Sequence, residues 1–180
     1  MNRSRLPVAY SLGLDLEEVR ISSYCHLWPT IFLAEKKRIE SGLTKTGTCR
    51  MPAGISIKHV GSTSVPGCSA KPVMDMIACY QSAEDRDTIV IGLMDLGYLY
   101  LGQCGRQGRD FFVFNRGQQT LFHLHLVPDD HPMRRDLLDF RRRLMTFPNE
   151  RDRYIHFKKD LAAKYPGNRT LYRIQKSRFF

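Results

Sequence analysis

Apolar residues along this chain recur with two different periods, and the switches between them divide it into elements. Trp28, Phe32, Glu35 and Ile39 fall at helical spacing, with Pro29 tolerated in the first turn, and predict a helix that Trp28 and Phe32 anchor to the core. Thr44–Gly54, rich in Gly, Thr and Lys, predicts a loop. Ile55, Ile57 and Val60 predict a short strand ending in a Gly-Ser turn. Val73–Cys79 is apolar except at Asp75, the pattern of a buried central strand. Glu84–Leu96 predicts a helix with Ile89, Leu93 and Leu96 on one face and Gly97 at its stop. Tyr98–Leu101, Phe111–Phe114 and Thr120–Val127 predict strands, the last two joined across Asn115, Arg116 and Gly117.

Beyond that point the period is helical throughout. Leu137, Phe140, Leu144 and Phe147 repeat at three and four residues, and so do Tyr154, Phe157, Leu161 and Tyr165. Pro148 and the Pro166-Gly167 pair separate these helices, and Asn168 is placed to cap a last one holding Leu171 and Ile174. A helix, then strands, then a helical tail predicts an α+β domain with a mixed β-sheet flanked by helices. Residues 1–20 lack clear periodicity and are expected as an N-terminal extension to a domain over 21–180.

Composition narrows the class. A chain of 180 residues, 42% hydrophobic and 26% charged, is long enough for one substantial core and fits a soluble globular protein. No apolar run approaches the roughly 18 residues a membrane span needs, and the stretch after Arg3 and Arg5 is broken by Pro7, Ser11, Gly13 and Asp15, a poor signal peptide. The five cysteines never stand in a CxxC spacing, which argues against a disulfide framework or zinc finger and for reduced thiols in the cytoplasm. The formal charge of +10 is uneven: from Arg134 to Phe180 there are 14 Lys or Arg against 5 Asp or Glu, a net of +9. A basic tail fits an anionic partner, whether nucleotide, nucleic acid or acidic protein, or else a solvated helical surface.

The densest chemistry lies between His59 and Asp75. Gly61 permits positive φ and close approach of the backbone, and Ser62, Thr63 and Ser64 add hydroxyls that can cradle a phosphate beside neighbouring amides. Lys71 adds a point charge. Asp75 sits where a carboxylate is costly unless it opens into a cleft, onto a metal or a basic group; the plainer alternative is that backbone amides satisfy it. His59 either contacts a phosphate or holds the loop. His123 and His125, two apart on a strand, share a face, so with Asp75 they form a candidate two-histidine, one-carboxylate metal set. Such a set suits Zn or another transition metal better than Mg. Alternatively one histidine bonds a phosphate, or both are strand residues at a polar surface. Arg109, before an aromatic strand, is a candidate anion clamp, and the Arg141–Arg143 run reads as a solvated face or a nucleic-acid contact.

The string HVGSTSVPG…AKP…D resembles the signature of the GrpB family, bacterial proteins with a nucleotidyltransferase-like fold of the DNA polymerase beta type. The likeness continues through Tyr24, Trp28, Phe32, Glu35, Arg109, Phe111-Phe112, His123-Leu124-His125, Phe140-Arg141, Tyr154, Lys158, Tyr172 and Lys176. It implies that Gly61 and Ser62 hold the β- and γ-phosphates of a nucleoside triphosphate and that Asp75 binds a divalent metal, Mg or Mn. Asp75 and Ser62 would then be the catalytic positions for in-line attack on the α-phosphate. Lys158, Tyr172 and Lys176 would be ligand contacts, stacking a base and neutralising phosphate. The second carboxylate of that fold would fall at Ile77, which cannot bind metal. An inactive nucleotidyltransferase-fold module that binds RNA or an acidic partner is therefore the other reading.

Overall fold

The computed structural model describes residues 12–15, 17–45 and 55–179. Its elements run β1 (Leu14–Asp15), α1 (Trp28–Lys45), β2 (Ser56–Val60), a single 3-10 turn (Ser62–Ser64), β3 (Met74–Tyr80), α2 (Ala83–Asp95), β4 (Leu99–Tyr100), β5 (Asp110–Arg116), β6 (Gln119–Pro128), α3 (Pro132–Thr146), α4 (Pro148–Lys164) and α5 (Arg169–Lys176). The expected α+β class with a mixed sheet is what the chain adopts. Most of the loop expected over Thr44–Gly54 lies outside the described residues, and Thr44 and Lys45 belong to α1.

The sheet runs β2-β3-β6-β5-β4, with β1 added alongside β6. Only β3 and β6 are parallel; the other pairings are antiparallel. The register places Val60, Asp75 and His123 side by side on three neighbouring strands. Alternation then sends Met74, Met76, Ala78, Phe122, Leu124 and Leu126 to one face, where α1 and α2 cover them. Ile77, Cys79 and Val127 on the other face pack under Met133 of α3. Leu121 is buried as well, close to Gly13, and is closed over by the N-terminal segment. Of the residues read as an extension, Leu12, Leu14 and Val19 are buried, so the described part of that segment joins the same body.

The first helix buries Trp28, Ile31, Glu35, Ile39 and Leu43 along one stripe, while Phe32 sits at its edge. Glu35 is fully buried and compensated: its carboxylate accepts from Arg38 Nε at 2.8 Å, Arg38 Nη2 at 2.6 Å and Tyr98 Oη at 2.7 Å. This ties α1 to the chain entering β4. Helices α1 and α2 approach through reciprocal glycines: a Cβ on Gly42 would stand 2.6 Å from Leu96, and one on Gly92 would stand 2.4 Å from Leu43. Ser82 caps α2 by accepting from the Asp85 amide, and Asn168 caps α5 by accepting from the Leu171 amide at 2.9 Å.

Replacing Glu35 with Ala leaves Tyr98 Oη without its buried acceptor and Arg38 without its carboxylate partner, holding only the Leu96 carbonyl. Urea denaturation is expected to show a loss of about 2–4 kcal/mol. A loss below about 1 kcal/mol would contradict this account of how α1 is held.

Candidate functional site

The site begins at a turn that only glycine can open. Gly61 takes φ +72°, a conformation L side chains rarely adopt, and a Cβ there would lie 2.6 Å from Asp75 Oδ2. The close approach inferred from the sequence is therefore an approach of the turn to Asp75. Three sets of side-chain contacts then fix the turn. His59 Nε2 and Thr63 Oγ1 are 2.9 Å apart, with the imidazole stacked on Phe32. Ser64 Oγ donates to the Gly61 carbonyl at 2.6 Å. Lys158 Nζ donates to Ser62 Oγ at 3.1 Å, to Cys68 Sγ at 3.5 Å and to the Ser69 carbonyl. Thr63 and Ser64 are thereby turned inward and buried, while Ser62 remains partly exposed. Among the described residues, no main-chain carbonyl accepts from the amides of Ser62 or Thr63.

The carboxylate of Asp75 is about one-third exposed, at 36%. Burial opposes its ionisation, but the hydrogen bond from His123 and the positive charge of Lys176 outweigh this and hold the carboxyl well below the usual range. His123 Nδ1 lies 3.0 Å from Asp75 Oδ1, and its Nε2 lies 3.5 Å from Arg169 Nη2. A guanidinium can only donate, so Nε2 is the bare nitrogen and the Nδ1 proton goes to Asp75. This is a carboxylate-oriented imidazole, the arrangement that lets a histidine accept a proton. Burial and Arg169 both oppose its protonation, and its pKa lies below the ordinary value. His125 takes the opposite tautomer: Arg109 Nη1 lies 3.3 Å from its Nδ1, which is therefore the bare nitrogen, and burial drives the ring down to about 3.

Cations dominate the rest of the cleft. Lys71 lies over the Tyr172 ring, 5.3 Å from its centroid. Burial and the neighbouring charges of Lys176, Arg169 and Arg173, opposed by Asp75, lower its ammonium to about 7. Arg169, Arg173 and Lys176 come from one face of α5 at spacings of four and three. Arg169 and Arg173 were not singled out in the sequence. The signal available was that spacing, which puts all three cations on one face of a short helix.

Several candidates take positioning places in this geometry. Lys158 is 2% exposed beneath the turn, pushed to about 8 by burial, and its ammonium is spent on the turn and on the Tyr154 ring 4.4 Å away. Tyr172 is 1% exposed and covered by Lys71, so its ring has no free face for a base. Arg109 donates to the carbonyls of Gln103 and Cys104, both at 2.9 Å, and stacks on Phe111, fixing the β4–β5 loop beside His125. His59 holds the loop: burial, with the charge of Arg141, lowers its pKa to about 4. Arg141 leaves the run it belongs to and donates to the His59 carbonyl at 3.3 Å, whereas Arg142 and Arg143 pair with Asp139 and Glu150 on the exposed face.

A divalent metal is what the two-histidine, one-carboxylate reading expects, and the side chains do not fit one. Among the described residues, no three His, Cys, Asp or Glu side chains come together as a metal-holding group. One oxygen of Asp75 takes the His123 proton, and the bare nitrogens of both histidines face guanidinium groups. Ile77, in the place of a second acid, is sealed under Met133. What the donors can do is grip an anion and orient an imidazole.

Known proteins extend this picture. A family profile described as GrpB protein matches residues 18–180. A UPF0157 protein of Pseudomonas aeruginosa is 34% identical over 148 residues, 81% of this chain and 57% of that protein. The UPF0157 protein YqkA of Bacillus subtilis is 32% identical over 155 residues, 86% of this chain and 43% of its own length. The chain thus spans about half the length of these two relatives. The glutamate-rich protein GrpB of Alkalihalophilus pseudofirmus is 26% identical over 172 residues, covering 93% of this chain and 95% of that one. Among solved structures, the conserved protein GrpB from Enterococcus faecalis has a TM-score of 0.73 at 24% identity, covering 89% of this chain and 96% of that one. Cid1 poly(U) polymerase has a TM-score of 0.53 at 12% identity, covering 79% of this chain and 44% of its own. The fold is shared with nucleotidyltransferases.

The depressed histidines carry a pH signature. In the unfolded chain His59 and His125 take up protons near 6.5, but in the folded chain only near 4 and 3. Their contribution to stability is complete above 6.5 and is lost as the pH falls toward 4. Denaturation series should show unfolding free energy dropping by roughly 1–2 kcal/mol per pH unit between 6 and 4. The drop should be shallower in His59→Gln. A flat profile over that interval would contradict the buried, neutral assignment.

Proposed function

The chain belongs to the GrpB family, and we propose that it binds the triphosphate of a nucleotide, or a similar phosphate-bearing molecule, between its Gly61–Ser64 turn and α5. The observation that carries this reading is a charge imbalance in a cleft. Lys71, Arg169, Arg173 and Lys176 act on one another and outnumber the two carboxylates that act on them, Asp75 and Glu17, beside a turn whose Ser62 and Thr63 amides have no carbonyl acceptor among the described residues. Cations so grouped repel one another until an anion enters, and amides with no acceptor suit phosphate oxygens. The shared fold supports the same ligand class, since structures of Cid1 poly(U) polymerase are described with MgGTP and MgATP bound.

Each part of the site has a place in this reading. Ser62 and the amides beside it take the terminal phosphates, with Lys158 fixing the Ser62 hydroxyl from below. Lys71 and Lys176 neutralise charge across the cleft. Asp75 orients His123, whose bare Nε2 is the group able to receive a proton from an attacking acceptor. His59, Thr63 and Ser64 hold the turn, and Arg109 holds the loop at its mouth.

A second reading, a binding module that performs no transfer, draws support from Ile77, buried where the fold's second acid would stand. It places the same ligand in the same cleft. A general nucleic-acid surface on the outer helices is favoured less, because Arg134, Arg142 and Arg143 are each paired with an acid there.

Thermal melting with ATP, GTP, CTP and UTP tests the reading. At ligand about a hundredfold above Kd, at least one should raise the melting temperature by about 5–10 °C. Gly61→Ala, which pushes a methyl group against Asp75, should abolish the rise. If no nucleotide shifts the wild-type protein, the reading fails.

A further inference from the structure

We propose that the cleft holds its triphosphate without a divalent metal, the phosphate charge being met directly by Lys71, Arg169, Arg173 and Lys176. This rests on the triphosphate reading above and goes beyond it, because the fold would ordinarily imply a metal-borne ligand.

The first argument is the donor inventory. Of the two Asp75 oxygens, Oδ1 takes the His123 proton, and Oδ2 lies 2.6 Å from where a Gly61 Cβ would stand, so the turn crowds that side. His123 offers its bare nitrogen to Arg169 and His125 offers its own to Arg109. Ile77 is fully buried in an apolar cluster with Val60, Cys79, Val127 and Met133. A hard divalent ion prefers several oxygen ligands, and one carboxylate among guanidinium groups does not supply them.

The second argument is where the chain places its acids. On α3 and α4 four arginines have carboxylate partners, Asp129 for Arg134, Asp139 for Arg142, Glu150 for Arg143 and Asp152 for Arg151, while the exposed Arg135 and Arg153 form no salt bridge among the described residues. In the cleft, Lys71, Arg173 and Lys176 form no salt bridge among the described residues. Lys71 and Lys176, half-buried and without a salt-bridge partner among the described residues, with exposed Arg173 beside them, form a receptor for negative charge. A bare triphosphate satisfies them best. A magnesium complex arrives with less charge and with phosphate oxygens already occupied by the ion.

The third argument is chemical division of labour. Guanidinium and ammonium groups donate directly to phosphate oxygens, which is the task a metal performs elsewhere. The chain has four such groups facing one another from two elements, the segment before β3 and α5.

Calorimetric titration of the full chain with sodium tripolyphosphate, and separately with ATP, tests this in excess EDTA and in excess magnesium. Both anions are expected to bind in EDTA, with magnesium leaving affinity unchanged or lowering it. Lys71→Met and Lys176→Met should each weaken binding at least about tenfold in EDTA while melting at or above the wild-type temperature, since each removes a like charge. Arg142→Ala, on the ion-paired outer face, should change nothing. Binding that appears only with magnesium overturns the inference and leaves the nucleotide reading standing. Absence of binding in both conditions overturns both. A loss with Arg142→Ala equal to that with Lys71→Met places the anion on the general basic surface and overturns the cleft as its site.

Discussion

The arrangement depends on one contact, the carboxylate of Asp75 resting against the bare Cα of Gly61. Asp75 lies on β3 between Val60 of β2 and His123 of β6, so its position is set by the sheet register and not by a loop. The next residue of the β2 strand path, Gly61, turns back over it at positive φ. A side chain at 61 would displace either the carboxylate or the turn. With glycine there, an ionised acid, a neutral imidazole and a phosphate-sized bend meet at the edge of a rigid sheet. The surrounding cations then follow as compensation: an ionised group with limited access to water needs partners, and α5 brings them.

The basic tail divides into two parts with different physical roles. Arg142, Arg143 and Arg151 on α3 and α4 are partnered by acids and carry little field beyond their own pairs. The cations of α5, half-buried Arg169 and Lys176 and exposed Arg173, outnumber the two acids that act on them, Asp75 and Glu17. The sign excess seen along the sequence is thus concentrated where the sheet opens, in a place that has a chemical use for it. Lys158 shows the third option: a cation taken wholly inside, whose charge is spent in holding Ser62 and the chain at Cys68 and Ser69.

Local chemistry made much of this legible in the sequence. Period-two alternation put His123 and His125 on one face and Phe122, Leu124 and Leu126 on the other, as the sheet has them. Asn168 was readable as a cap, Gly97 as a stop and Gly61 as a positive-φ residue, because each rests on one residue's own conformational or hydrogen-bonding preference. Partners distant along the chain were not readable. Lys158 reaches Ser62 across 96 positions and Tyr98 reaches Glu35 across 63, and no period encodes such pairings. The metal set failed to assemble for the same reason. Spacing gave the shared face of His123 and His125, the sheet register adds Asp75 beside His123, and Arg109 and Arg169, which take the ring nitrogens, come from outside that pattern.

The central claim, that the bend at Gly61–Ser64 and the inner face of α5 together grip phosphate, is tested most directly by a crystal structure of the chain with a non-hydrolysable nucleoside triphosphate. The account predicts terminal phosphate density on the amides of Ser62 and Thr63, with Lys71 and Lys176 within hydrogen-bonding reach. An ordered triphosphate seated elsewhere, with the cleft between Asp75 and Lys176 unaltered, would contradict it.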